Sequence, residues 1–401
     1  MNMKKLLMLI AFCMSFFSAI AQQIARVERI DMESSHFKHK RPVLIYTPFY
    51  YDTETTTHYD VVYVFDCQQR SNFDLVTSLL HYQMQQMDEN LRGFIVVGIC
   101  SPTIIENGDV VYARNNDYTP MPQKDMGKGL FQGRYHGNSE DLKAFLKDEL
   151  MPYINSHYRT SGHTLGIGHS LSASFVLDCV VNGELFDDVI ALSPNLCYDD
   201  NRLANDFLKY DFTRSGEPRF VYITMADEPE NPSFNKSRDW GKAWYGVQDY
   251  INNGVKPASD NLKIMTATYP NVEHDKTQLY SLPPAFGAYL SFRGECDATP
   301  RGTSYPFHIE IEGNDIVGDV YITGNQKALG DWQPNVIKMK ENGEHSRAID
   351  LKLQLPAVFK FTAGNWDNQY FPLNGNMGNL RITTASQDTV KYSTNMIMAE
   401  P

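Results

Sequence analysis

The stretch Ser161 to Val181, SGHTLGIGHSLSASFVLDCVV, constrains this chain more than any other. Thr164, Leu165, Gly166 and Ile167 form a short run without charge, and Ala173 to Val181 carries the apolar spacing of a buried helix. A strand therefore enters a helix through Gly168, His169, Ser170 and Leu171. The pattern GxSxS, with Gly168, Ser170 and Ser172, is a variant of GxSxG, whose small neighbours let strand and helix pack closely while the central hydroxyl stands exposed on a strained turn. The pentapeptide alone also suits an ordinary Gly/Ser loop, and Ser172 in place of the second glycine weakens it. The flanking strand and helix separate the two readings. At this turn the backbone amides open a helix whose dipole favours negative charge, as a nucleophilic serine requires.

The chain around this turn alternates strands and helices. Arg41 to Pro48 (RPVLIYTP), Val61 to Phe65, Gly93 to Ile99, Asp188 to Leu192, Arg219 to Thr224 and Leu262 to Tyr269 read as strands. The spacing predicts helices over Phe73 to Met87 and Ser139 to Tyr158. That alternation predicts a mostly parallel sheet covered on both faces, with ligands bound beyond the carboxyl ends of its strands. Ser170 follows one strand, Asp227, Glu228 and Glu230 follow Arg219 to Thr224, and His274 follows the last. Serine is a poor nucleophile at neutral pH; an imidazole takes its proton and a carboxylate orients the ring. Taken singly, any of the 11 histidines suits a solvated loop, and ADEPENP, 226–232, suits a charged one. The three residue types, in the order Ser, acid, His and each just after a strand, point to an α/β-hydrolase.

Met1 to Ala21 has Lys4 and Lys5 before an apolar run from Leu6 to Phe17, then Ser18, Ala19 and Ala21 as a small-residue cleavage site. This reads as a secretory signal peptide, the run being short for a bilayer span, and predicts an exported protein, periplasmic or extracellular, with no membrane span after processing. The formal charge of −12 and the lack of a long basic run exclude the electrostatic footprint of nucleic-acid binding. After Cys13, the cysteines Cys67, Cys100, Cys179, Cys197 and Cys296 are sparse, odd in number and lack CxxC spacing, so neither a zinc site nor a disulfide framework is indicated. No metal or organic cofactor is expected.

The remaining length, about 380 residues, suggests two domains. Residues 22–295 form the predicted hydrolase domain, and 296–306, in the stretch GECDATPRGTSYP, read as a linker. Residues 307–401 carry short alternating runs: Phe307 to Glu312, Val317 to Gly324, Ala348 to Leu355, Val358 to Thr362, Leu380 to Thr384 and Thr389 to Tyr392. Their spacing predicts an all-β, immunoglobulin-like sandwich.

Residues 24 to 293 resemble the Putative esterase family of α/β-hydrolases, which includes feruloyl esterases, siderophore esterases, S-formylglutathione hydrolases and mycolyltransferases. The resemblance is carried by RPVLIYTP, YDVVYVFDCQQRSNF, GFIVVGI with RNNDYTP, LMPYINSHYRTSGHTLGIGHSLSASF and ELFDDVIALSPNL. It implies Ser170 as nucleophile, His274 in YPNVEHD as general base, and an acid best placed at Glu228 in ITMADE, with Asp227 as its rival. It also implies an oxyanion hole from the backbone amides of Leu171 and Cys67. Where the family commonly has Asp-Gly, this chain has Asp66 and Cys67.

The C-terminal segment resembles a starch-binding domain, carbohydrate-binding module family 20, through DVYITGNQKALGDWQPN and FKFTAGNWDN. The resemblance implies Trp332 and Trp366 as sugar-stacking platforms, Lys360 as their polar neighbour, and an α-glucan ligand. Together the two resemblances imply a secreted serine carboxylesterase whose ester substrate, such as an acetyl or feruloyl ester, is linked to polysaccharide. The alternatives are a catalytically degenerate, glycan-binding relative and an acyltransferase.

Overall fold

A computed structural model describes residues 25–84, 92–106, 108–122, 137–183, 185–211, 217–235, 240–254, 262–372 and 378–399. The signal peptide expected over Met1 to Ala21 lies outside them. Among the described residues, no helix is long and apolar enough to cross a membrane.

The N-terminal part is built on an eight-stranded sheet. Its strands are β1 (Arg26–Met32), β2 (Arg41–Thr47), β3 (Tyr59–Val64), β4 (Phe94–Ile99), β7 (Thr160–His169), β8 (Asp188–Leu192), β9 (Arg219–Met225) and β10 (Leu262–Thr268); a hairpin of β5 (Thr103–Glu106) and β6 (Asp109–Tyr112) stands apart. The order across the sheet is β1-β2-β4-β3-β7-β8-β9-β10. The six strands from β4 to β10 in that order are parallel, while β1 and β2 pair antiparallel at one edge. The sheet is thus mixed. Strands β3, β4 and β8 are buried along their whole length, which is why they read as unbroken apolar runs.

Helices cover both faces. Phe145, Leu150, Val176 and Trp244, from the helices Ser139–Phe145, Leu171–Asn182 and Trp240–Asp249 and the π-helical turn Leu146–Leu150, pack on one side. Phe73, Leu80, Phe286 and Tyr289, from helices Arg70–Gln83 and Thr277–Asp297, pack on the other. The helix expected over Ser139 to Tyr158 is present but contains that π-helical turn. Strand β1 was not expected: Arg26 and Glu28 pair along one of its faces, and Arg29 and Asp31 along the other. Such charge protects an edge strand and hides it from a search for apolar runs.

The C-terminal part is all β. Nine strands run β11 (Arg301–Glu312), β12 (Tyr321–Gly324), β13 (Ile337–Lys338), β14 (Lys340–Gly343), β15 (Ser346–Leu355), β16 (Ala357–Asn365), β17 (Asn368–Pro372), β18 (Leu380–Ile382) and β19 (Thr389–Ala399). β19 pairs with β11 through residues 389–393 and with β17 through residues 394–399, joining two halves around a core of Phe307, Ile309, Ile322, Phe359, Phe361 and Tyr392.

The expected linker over 296–306 is not one. The helix Thr277–Asp297 runs into it, and β11 begins at Arg301. The cause is Asp297: its buried carboxylate accepts from Arg92 of the hydrolase part and, at 2.8 Å, from Nε of Arg381 in the β-rich part. A Gly/Pro/Ser/Thr-rich composition marked the turn correctly and gave no sign of this anchor.

Candidate active site

The carboxyl ends of the parallel strands converge on Ser170. It connects β7 to the helix Leu171–Asn182 with φ 61° and ψ −121°, a conformation costly for any residue with a β-carbon. The turn is held from outside, because the Ser170 amide donates to the Leu192 carbonyl at the end of β8, 2.9 Å away. Close packing explains Gly168: a β-carbon there would lie 2.3 Å from the carbonyl carbon and oxygen of Ser172. Leu171 opens the helix, so its amide has no acceptor within it.

Beyond β9 and β10 the structure brings Glu228 and His274 together. Oε1 of Glu228 faces Nδ1 of His274, and Oε2 accepts from the Ala226 amide at 2.7 Å. Glu228 is fully buried, which alone favours the neutral acid; the hydrogen bond and charge of His274 outweigh this and hold its carboxyl below the usual range. Asp227 points elsewhere. Its Oδ2 accepts from Asn231 Nδ2 at 3.0 Å, and its amide donates to Val272.

The backbone of His274 is also fixed. Its carbonyl accepts from Thr277 Oγ1 at 2.8 Å, and His169 Nε2 lies 2.9 Å from the same oxygen. Thr277 Oγ1 is 3.2 Å from Ser193 Oγ, which accepts from the Ala226 amide. His169 packs against His274 at 4.7 Å between ring centroids, and Phe234 lies at 5.0 Å. Burial first, then the neighbouring His274, push His169 down to about 4. It is neutral at pH 7 and props the His274 backbone through the carbonyl it meets.

The loop after β3 departs from expectation. Cys67 cannot lend its amide to an oxyanion, since that N–H donates to the Ile99 carbonyl at 3.0 Å and continues the β3–β4 ladder past its end. The Asp66 amide is also engaged, by Tyr118 Oη at 3.1 Å. Asp66, not the residue after it, takes the positive φ, 61°. Burial pushes the Cys67 thiol well up, so it is not a reactive thiolate.

Residues that sequence reasoning passed over complete this loop. Arg114 grips Asp66 with two bonds, Nε to Oδ1 at 2.6 Å and Nη2 to Oδ2 at 2.8 Å. Ser172 Oγ donates to Asp66 Oδ2 at 2.8 Å and accepts from the His169 amide at 2.9 Å. The serine that replaces the second glycine therefore ties the elbow to the β3 loop. The available signal was a carboxylate directly after an apolar strand, Asp66 after VVYVF. Beside Leu171, a small recess is lined by Tyr118, Pro120, Ser174, Asn195, Tyr198 and Leu203.

The other predicted group lies on the β-rich part. Trp366 sits at the turn between β16 and β17 and is 40% exposed; Trp332, half-buried with φ 61°, follows β12; Lys360 is on β16. None of the three shares an element with the Ser170 site.

A mixed sheet between two helical layers, with a serine at the strand-to-helix turn and a buried acid paired with a half-buried imidazole beyond the next strands, defines an α/β-hydrolase-like fold. The profile of the family described as Putative esterase matches residues 34–257, more than half of the 401 residues. The chain belongs to this family, and the protein is an esterase. A search of curated proteins found no match. Among solved structures it is similar to an IroE-like serine hydrolase from Shewanella oneidensis, with 24% identity, 69% of this chain and 82% of that chain covered, and a TM-score of 0.51. It is also similar to the siderophore hydrolase EstA from Aspergillus nidulans (17%, 69% and 95%, TM-score 0.50). A third similar structure is an uncharacterised protein from Capnocytophaga ochracea DSM 7271 (17%, 66% and 64%, TM-score 0.50). At these identities the likeness is one of fold.

Proposed function

We propose that the protein is an exported serine carboxylesterase that works through an acyl-enzyme. The observation that carries this reading is the pairing of buried Glu228 with half-buried His274, set beyond the same sheet edge as the strained Ser170 turn. Ser170 Oγ attacks the ester carbonyl and passes its proton to His274 Nε2. Glu228 holds Nδ1–H, fixing the tautomer and stabilising the imidazolium. The Leu171 amide receives the oxyanion. His274 then protonates the leaving alkoxide, and water releases the acyl group in a second half-reaction. The recess beside Leu171 is the place for the acyl group or the alcohol. Export rests on Met1 to Ala21, and the exposed Trp366 supports a glycan platform on the β-rich part.

The engaged Cys67 amide favours one competing reading, a hydrolase scaffold that binds without turnover. A fluorophosphonate probe and p-nitrophenyl acetate separate the two. The esterase reading expects labelling of Ser170 and a loss of about 10⁴-fold or more in kcat for Ser170→Ala with an unchanged melting curve. A folded wild type that neither hydrolyses the ester nor takes the probe is the scaffold.

A further inference from the structure

All six parallel strands start at one pole of the hydrolase part and end at the other. Asp66, Ser170, Ser193, Glu228 and His274 follow strand ends. The β-rich part docks at the strand starts. Arg92, two residues before β4, reaches Asp297 and thereby Arg381. Thr56, three residues before β3, accepts from Gln387 Nε2 through its carbonyl at 2.9 Å and exchanges two bonds with the Lys391 backbone. The cleft between the two parts is lined by Ser161 and His163 near the start of β7 and by Leu355 and Pro356 from the other side.

The strands also set the scale. From Ser161 to Ser170, β7 advances about 30 Å at ~3.3 Å per residue. Pro356 precedes β16, which leads out of the same cleft to Trp366, again roughly 30 Å away. The joint between is stiff: only residues 298–300 connect helix and strand, and Asp297 is buried between two guanidinium groups. The catalytic pole differs in chemistry from the cleft. Ile105 and Val110 on the β5–β6 hairpin, Met121, and Leu279 and Tyr280 just after His274 are all exposed there.

We infer that Ser170 and Trp366 sit at opposite ends of one rigid unit, so the ester that Ser170 cleaves is not carried by the glycan segment held at Trp366. The substrate is a discrete ester with an apolar flank, reached from the side facing away from the bound glycan. This rests on the two proposed readings, Ser170 as nucleophile and the β-rich part as a glucan platform. The alternative it excludes is a module that feeds its own ligand to the serine.

The test uses the full chain and its Trp366→Ala variant, with retention on insoluble amylose and turnover of p-nitrophenyl butyrate and acetylated maltotriose, a ligand too short to span the two sites. The variant is expected to lose retention while kcat/KM on both esters stays within about twofold, and amylose-bound wild type is expected to keep its rate on the butyrate within about twofold. A drop of about tenfold or more on acetylated maltotriose alone overturns the inference, as does a similar loss when wild type binds amylose. Wild type that is not retained on amylose removes the glucan reading, and wild type inactive on both esters removes the serine reading; either also removes the inference, and each is recognised by its own assay. Trp366 is exposed at a turn, and a melting curve confirms that the variant folds.

Discussion

The hydroxyl of Ser172 donates to Oδ2 of Asp66 across 2.8 Å and 106 positions of sequence, joining the serine elbow to the loop after β3. The same Oγ accepts from the His169 amide, next to Ser170. Ser172 is fully buried, and the Asp66 carboxylate it meets is balanced by Arg114. Ser172→Ala removes the acceptor of the His169 amide and leaves Asp66 Oδ2 with Arg114 as its donor, and is expected to cost about 1–3 kcal/mol of unfolding free energy. Denaturant unfolding measures this, and kcat on an aryl ester should fall as the turn loosens. Unchanged stability and rate would remove Ser172 from the support of the site.

Glu228 and Asp227 are adjacent in sequence but differ in what they face. Glu228→Gln is expected to lower kcat by about 10²–10⁴-fold, because an amide no longer holds His274 in the required tautomer. Asp227→Asn should stay within about tenfold of wild type, since its carboxylate meets Asn231 instead of the imidazole. Steady-state kinetics on p-nitrophenyl acetate decides, and the reverse ranking would move the acid to Asp227.

Gly168→Ala places a β-carbon 2.3 Å from the backbone of Ser172. The helix must shift to accommodate it, and displacements of about 1 Å at a reacting group cost about 10²-fold in rate. Loss of fluorophosphonate labelling with retained far-UV circular dichroism is the expected result.

His163 at the start of β7 lies 2.6 Å from the buried Asp188. Burial alone would lower its pKa, but the Asp188 carboxylate outweighs this and raises it above the ordinary 6.5. A raised folded value means that the pair's stability is fully present below about pH 6.5 and is lost as pH rises through the folded value. Wild type and His163→Gln should therefore differ more in urea midpoint at about pH 6 than at about pH 9. A difference that grows with pH would contradict the assignment.

Much of the fold was legible because its signals are local. The buried strands β3, β4 and β8 read as apolar runs, and the helix after Ser170 showed its spacing, since each depends on neighbours a few positions away. The charged edge strand β1 was not, because its pairing with β2, not its own composition, makes it a strand. Of the site, Ser170, His274 and the acids Asp227, Glu228 and Glu230 were read from residue type and order, and the family resemblance narrowed the acid to Glu228 or Asp227.

What the sequence by itself determined was the alternation of strands and helices, the turn that only small neighbours at Gly168 and Ser172 permit, and the set of groups able to do acyl chemistry. The tertiary structure decided which acid meets the imidazole, that the Cys67 amide serves the β-ladder, and that residues 296–306 form a fixed joint and not a tether. The physical reason is range. A hydrogen-bond partner 46 residues away, or a buried carboxylate shared by Arg92 and Arg381, is set by where the sheet places whole elements, and no local pattern encodes that.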